Sequence, residues 1–158
     1  MILRTAALFV VAILSTALSH AQTGSDSRTE EVIEAAFRHQ LAFWLRGHAR
    51  QSDVVVCLSV DHGGAERSVA QEYLPRFVER AVRRGIDCEA RPSGPVERKT
   101  GRPAVMVTVG PVSWPAPDEA WVTVRYSRRL SAGSQQFRVV KEDARWICLG
   151  PIVKLSPA

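Results

Sequence analysis

A carboxylate and an imidazole lie side by side in this chain, at Asp61 and His62, and two glycines follow them. Such a pair on a flexible turn can do acid and base chemistry or bind a metal ion. Neighbouring side chains usually point apart, however, and Asp and Gly are ordinary turn residues. We therefore interpret Asp61 to Gly64 as a turn, and we predict no catalytic residue and no metal site.

Three cysteines offer a second possible chemistry: Cys57, Cys88 and Cys148. Their spacing matches no zinc motif, and an odd number allows one internal bridge with one residue left over. The chain after Gly85 is expected to return beside the strand that holds Cys57, so we predict a disulfide between Cys57 and Cys88. Cys148 lies two residues from Trp146 on a late strand, which favours a small buried side chain over a nucleophile.

Short motifs of the common enzyme classes are absent from the sequence. It contains no Gly-x-Ser-x-Gly, no phosphate-binding loop, no His-Glu-x-x-His and no dinucleotide fingerprint. We therefore predict no cofactor, and a protein that binds something rather than transforming it.

Aromatic and arginine side chains supply the candidate binding residues. In the strand predicted at 119–126, Trp121 and Arg125 share one face, while Val122 and Val124 share the other. Both faces are thus partly apolar, so the Trp121 face either lies under a covering segment or lines a ligand pocket. We predict Trp121, Arg125 and Trp146 as ligand-binding residues, with Val122 and Val124 packed under the first helix.

The elements that must position these residues follow from the hydrophobic pattern. Ile33, Phe37 and Leu41 recur at helical spacing and predict a first helix over residues 29–46. A second helix is predicted to begin at Ser68 or Leu74 and to end at Arg84. Strands are predicted at 53–60, 104–110, 119–126, 136–141 and 145–149, with turns at 115–118, 131–134 and 142–144. The expected fold is α+β, with two helices packed on one face of a curved, mainly antiparallel sheet of about five strands.

The order of these elements resembles that of a known superfamily. The chain joins an amphipathic first helix to a closing hairpin of Phe137-Arg138-Val139-Val140-Lys141 and Arg145-Trp146-Ile147-Cys148. This layout resembles the cone-shaped superfamily of nuclear transport factor two, and it is also similar to the cystatin-like arrangement of one helix wrapped by a sheet. The cone resemblance implies an apolar cavity lined by the sheet. It leaves open an enzyme of the cone type, with Asp61 or Tyr73 at the cavity mouth.

The first residues of the sequence predict an address outside the cytoplasm. A positive start, an apolar run from Thr5 to Leu18 and the small residues around Ala21 indicate a cleavable signal peptide over residues 1–21. No cysteine follows the run to carry a lipid. We therefore predict one globular domain over residues 22–158, secreted or periplasmic, with no membrane span.

Net charge and location limit the choice of partner. The formal net charge is +5, which attracts anionic surfaces weakly. Secretion argues against nucleic acid as a partner. We expect a binding protein for a small apolar molecule or for an envelope or extracellular protein, and an inhibitor-like interaction module is the alternative.

Overall fold

A computed structural model of the chain describes residues 27–44, 54–77 and 82–152. The predicted signal peptide and the predicted end of the first helix at residue 46 lie outside the described residues. Residues 27–44 form one long helix, α1. The packing described below lies within the compact unit Val32–Ala158.

Nine strands and two short 3₁₀ helices follow α1 in the part of the chain that the structure describes. The 3₁₀ helices are Gln71–Arg76 and Gly85–Asp87. The strands are β1 (Val55–His62), β2 (Ala65–Ser68), β3 (Val82–Arg84), β4 (Cys88–Glu89), β5 (Val96–Glu97), β6 (Ala104–Ala116), β7 (Glu119–Arg128), β8 (Ser131–Glu142) and β9 (Arg145–Pro151).

Seven of these strands form one sheet, in the order β2, β1, β6, β7, β8, β9, with β3 beside β1. β1 runs parallel to β3 and β6, and every other pair in the sheet is antiparallel. β4 and β5 form a separate two-stranded ribbon. The predicted α+β class with a mainly antiparallel sheet is therefore confirmed.

The predicted count of two helices and five strands is wrong. In place of a second helix, the described residues form the 3₁₀ helix Gln71–Arg76, which contains Pro75, and then the strand β3. Phe77 and Val82 are both buried in the main core, and Val82 lies on β3, where it pairs with Val56 on β1. A short apolar segment fits both the helical and the strand periodicity, and here pairing with β1 makes the segment a strand.

The hairpin of β7 and β8 also differs from the expectation. A turn was expected at residues 131–134, but β8 begins at Ser131 and pairs with Arg128. Only Arg129 and Leu130 form the turn. β7 and β8 thus continue to pair through residues 131–134, although the small residues of this segment favour a turn.

The main core lies between α1 and one face of the sheet, which we name the inner face. Ile33, Phe37 and Leu41 belong to the same buried cluster as Val122 and Val124. Val122 and Val124 have almost no exposed surface. The prediction that these two valines pack under the first helix is confirmed, and with it the face assignment of β7.

A second, smaller cluster covers part of the opposite side of the sheet, which we name the outer face. Cys57 on β1 is bonded to Cys88 on β4, as predicted, with their Cα atoms 6.4 Å apart. That separation lies within the ordinary range for a disulfide. The bridge holds the β4 and β5 ribbon over Val55, Ala104 and Met106.

Candidate functional site

Two of the three predicted binding residues share the outer face, and the third does not. Trp121 and Arg125 both lie on β7, on the face opposite to Val122 and Val124. Strand geometry places their Cα atoms about 13 Å apart. Trp146 is buried in the main core, on the inner face. The structure therefore brings Trp121 and Arg125 onto one surface and separates Trp146 from them.

Glu119 holds the Trp121 side chain and also binds Arg138, and the sequence alone predicted neither of these two neighbours. Nε1 of Trp121 donates a hydrogen bond to Oε1 of Glu119 at 2.7 Å. The other carboxylate oxygen of Glu119 accepts a hydrogen bond from Nη2 of Arg138 at 2.8 Å. One carboxylate thus fixes an indole and a guanidinium side by side, and we call Glu119, Trp121 and Arg138 the Trp121 cluster.

The strand register explains this cluster. Trp121 pairs directly with Arg138 on β8, and Glu119 lies two residues before Trp121, on the same face. Hydrogen bonds from Arg138 and from Trp121 lower the pKa of the Glu119 carboxyl below its ordinary value of 4.5. Glu119 therefore remains an anion that accepts both donors at neutral pH.

Arg125 takes part in a second polar group on the outer face. Its Nη1 lies 2.9 Å from Asp61, whose side chain is buried, and its Nη2 lies 3.7 Å from Glu66. Oδ1 of Asp61 also accepts the backbone N–H of Gly64 at 2.7 Å. Asp61 therefore closes the β1 and β2 turn and anchors Arg125 at the same time.

The Asp61 and His62 pair does not form one site. Asp61 is buried, whereas His62 is exposed. Gly63 and Gly64 occupy the turn with positive φ angles of 66° and 94°, a conformation that favours glycine. The described residues include no group of three or more His, Cys, Asp or Glu side chains placed to hold a metal ion.

Trp146 contributes to packing at the other side of the sheet. Its ring meets the ring of Trp114 edge to face, with centroids 5.5 Å apart, and the amine of Lys141 lies 6.0 Å from its centroid. These contacts place Trp146 among core and flanking aromatic side chains rather than beside Trp121.

Cys148 is the free cysteine of the described residues, and it is partly buried against the main core. Burial raises the pKa of its thiol above the ordinary value. The neutral thiol therefore predominates at neutral pH, which does not favour a nucleophilic role.

Several arginines near the disulfide are paired with carboxylates. Glu97 is buried and accepts Nε of Arg83 at 2.6 Å together with the hydroxyl of Thr100. The remaining pairs in this region are Arg84 with Asp87, Arg91 with Glu89, and Arg98 with Glu89. The arginines of these pairs thus stabilise the local structure of this segment.

Among the residues that the structure describes, no helix is long and apolar enough to cross a membrane.

Comparison of the chain with protein families, with curated proteins and with solved structures finds no match. The resemblance to the cone-shaped superfamily therefore rests on the predicted order of elements alone and stays a prediction.

Proposed function

We propose that this chain is a non-catalytic protein-binding module that meets its partner with the Trp121 cluster on the outer face. The observation that carries the proposal is the partly exposed side chain of Trp121, held beside Arg138 by a single carboxylate. Trp and Arg are the side chains most often found at the energetic centres of protein interfaces.

The fixed geometry of the cluster supports this role. Ordering a long side chain on binding lowers affinity, and hydrogen bonds made beforehand reduce that loss. Glu119 holds both Trp121 and Arg138 before any partner arrives. A matching surface would offer an apolar side chain to the indole and an acceptor to the remaining N–H groups of the guanidinium.

Packing under α1 argues against a ligand cavity on the inner face of the sheet. A cavity that admitted a ligand would leave accessible surface on the side chains around it. Phe37, Val122 and Val139, from α1, β7 and β8, have none. These three described residues therefore offer a ligand no accessible surface on the inner face, which favours the outer face as the surface that meets a protein partner.

The disulfide is compatible with an extracellular or periplasmic location, since such bonds persist in oxidising compartments. The apolar run from Thr5 to Leu18 supports the same compartment. We therefore propose that the partner is an envelope or extracellular protein.

A site-specific photo-crosslinking experiment tests the proposal. A photoreactive amino acid replaces Thr123, which lies between Trp121 and Arg125 on the outer face, or Glu72 in the first 3₁₀ helix as a control. The protein is then irradiated with the envelope and secreted fractions of its host. We expect one defined adduct from position 123 and not from position 72.

The same adduct should disappear with Trp121→Ala and persist with Trp114→Ala. Trp121 and Trp114 are 36% and 37% exposed, but Trp114 contacts Trp146 on the inner face. An adduct that is insensitive to Trp121→Ala would contradict the proposal. Binding of an apolar compound can be measured by tryptophan fluorescence. Saturable binding that Trp121→Ala leaves unchanged would favour a carrier instead.

A further inference from the structure

Three segments of the chain meet at the end of the sheet where β7 turns into β8. Arg129 and Leu130 form the turn, and with Arg128, the last residue of β7, we call them the hairpin tip. The guanidinium of Arg128 lies 5.1 Å from the centroid of the Trp44 ring, so the last described turn of α1 reaches this end. The loop between β4 and β5 reaches it as well, because a side chain at Gly94 would collide with the backbone of Arg129.

The hairpin tip presents an apolar side chain to solvent. Leu130 is 91% exposed, more than any other large apolar side chain that the structure describes. The neighbouring hairpin of β8 and β9 has Asp143 and Ala144 in its turn, and polar or small residues are usual at such positions. Phe43 adds a second apolar group at this end, since it is 59% exposed and its ring lies 5.5 Å from that of Trp44.

Positive charge surrounds this apolar group. Arg128 and Arg129 are both exposed. None of residues 35–44, 90–96 and 120–141 is Asp or Glu. Glu89 precedes the loop between β4 and β5, and it is engaged by Arg91 and Arg98. The end of the sheet at the hairpin tip is therefore basic and carries no carboxylate that repels an anionic surface.

We propose that the hairpin tip binds the surface of an anionic lipid bilayer. Leu130 enters the boundary between headgroups and acyl chains, and Arg128 and Arg129 contact the lipid phosphates. A bilayer places phosphates and an apolar phase in adjacent layers, which matches a leucine at the tip with two arginines directly behind it. The aliphatic stems of the arginines can follow the leucine while their charges stay at the level of the headgroups.

This contact is separate from the Trp121 cluster. Trp121 and Arg128 lie seven residues apart on β7, so their Cα atoms are about 23 Å apart by strand geometry. A bilayer bound at the hairpin tip therefore leaves the Trp121 cluster accessible to a protein partner. The two surfaces can be tested independently of each other.

Vesicle sedimentation tests the proposal with the disulfide-bonded protein purified from the envelope or secreted fraction of its host. One set of vesicles contains equal parts of phosphatidylglycerol and phosphatidylcholine, and the other contains phosphatidylcholine alone. We expect a partition coefficient at least about tenfold higher on the anionic vesicles, because each arginine near an anionic surface contributes about 1 kcal/mol. Equal partitioning on both sets, or no binding to anionic vesicles at about 1 mM lipid, would overturn the proposal.

Two variants locate the contact at the hairpin tip. Leu130→Ser should lower partitioning on anionic vesicles about tenfold, because the leucine no longer leaves water. Leu149→Ser is its control, since Leu149 is 53% exposed on β9. Arg129→Gln should lower partitioning about fivefold, and Arg67→Gln on the short strand β2 is its control.

Both control variants should partition as the unaltered protein does. Trp121→Ala should also leave vesicle binding unchanged, although it abolishes the adduct of the crosslinking experiment. Losses as large in the controls or in Trp121→Ala as in the tip variants would place the lipid contact elsewhere and overturn the proposal.

Hydrogen exchange of the unaltered protein keeps the test independent of any folding defect in the variants. Amide protection at residues 129–131 should increase when anionic vesicles are added, whereas protection at β2 should not change. Unchanged protection at residues 129–131 in the vesicle-bound protein would contradict insertion of the tip.

Discussion

The guanidinium of Arg125 on β7 lies 2.9 Å from the carboxylate of Asp61 on β1, so this ion pair spans the intervening strand β6. The side chain of Asp61 is 3% exposed and that of Arg125 is 42% exposed. One partner is therefore desolvated while the other remains in contact with water. The pair links three strands on the outer face.

A double-mutant cycle measures this link. Asp61→Asn retains an acceptor for the N–H of Gly64 but loses the charge, and Arg125→Gln removes the cation. We expect a coupling free energy of about 1 kcal/mol, a low figure because Arg125 is solvated. Urea unfolding of the two single variants and the double variant gives the value.

Salt provides the control for that cycle. The coupling should decrease between low and high ionic strength, because the exposed end of the pair is screened. A coupling near zero at low salt would mean that the ion pair adds nothing to folding.

Removal of the disulfide should lower the free energy of unfolding. The bridge between Cys57 and Cys88 spans a sequence separation of 31 residues. Loop closure of this size contributes about 3 to 4 kcal/mol in the chain-entropy treatment. We expect the double variant Cys57→Ala with Cys88→Ala to lose stability of this order in chemical denaturation.

Cys148→Ala is the matched control for the disulfide variant, because it removes a thiol that makes no bridge. It should cost about 1 kcal/mol or less, as expected for a small, partly buried side chain. Equal losses in the two proteins would show that the bridge itself stabilises little.

Truncation of Val124 tests the inner face of β7. Val124→Ala removes two buried methyl groups beneath α1 and should cost about 2 to 3 kcal/mol, including the cavity that remains. Thr123→Ala, at the next position on the outer face, should cost less than about 1 kcal/mol. The midpoints of urea unfolding of the two variants measure these losses. A lower midpoint for Thr123→Ala than for Val124→Ala would contradict the face assignment.

Acid should weaken the contact between Glu97 and its donors. Hydrogen bonds from Thr100 and Arg83 lower the pKa of the Glu97 carboxyl below its ordinary value of 4.5. The folded state then binds fewer protons than the unfolded state, so this contribution is complete above pH 4.5 and is lost as the pH falls through the lowered pKa.

Glu97→Gln should therefore lower the free energy of unfolding by about 1 kcal/mol at neutral pH, a small loss because Arg83 and Thr100 stay partly solvated. At strongly acidic pH it should lower this free energy little. Thermal unfolding across that range measures both. Glu72→Gln, at an exposed carboxylate of the first 3₁₀ helix, should leave the pH dependence unchanged. An effect of Glu97→Gln that is the same at every pH would contradict this account.

The sequence by itself determined the local features, because helix and strand periods follow from backbone geometry. The spacing of Ile33, Phe37 and Leu41 marked the buried side of α1. The alternation of Val122 and Val124 with Trp121 assigned both faces of β7 before any partner strand was known. The odd number of cysteines and the expected return of the chain after Gly85 were sufficient to predict the bridge between Cys57 and Cys88.

Only the tertiary structure decided the features that depend on pairing between distant segments. Val82 lies on a strand because Val56 pairs with it, and no local pattern contains that information. Arg138 joins Trp121 because of the register between β7 and β8, since a shift by one residue would turn Arg138 toward the core. The sequence therefore predicts only part of the candidate site. It assigns the indole of Trp121 to its face, whereas the neighbours that fix the indole depend on nonlocal hydrogen bonding.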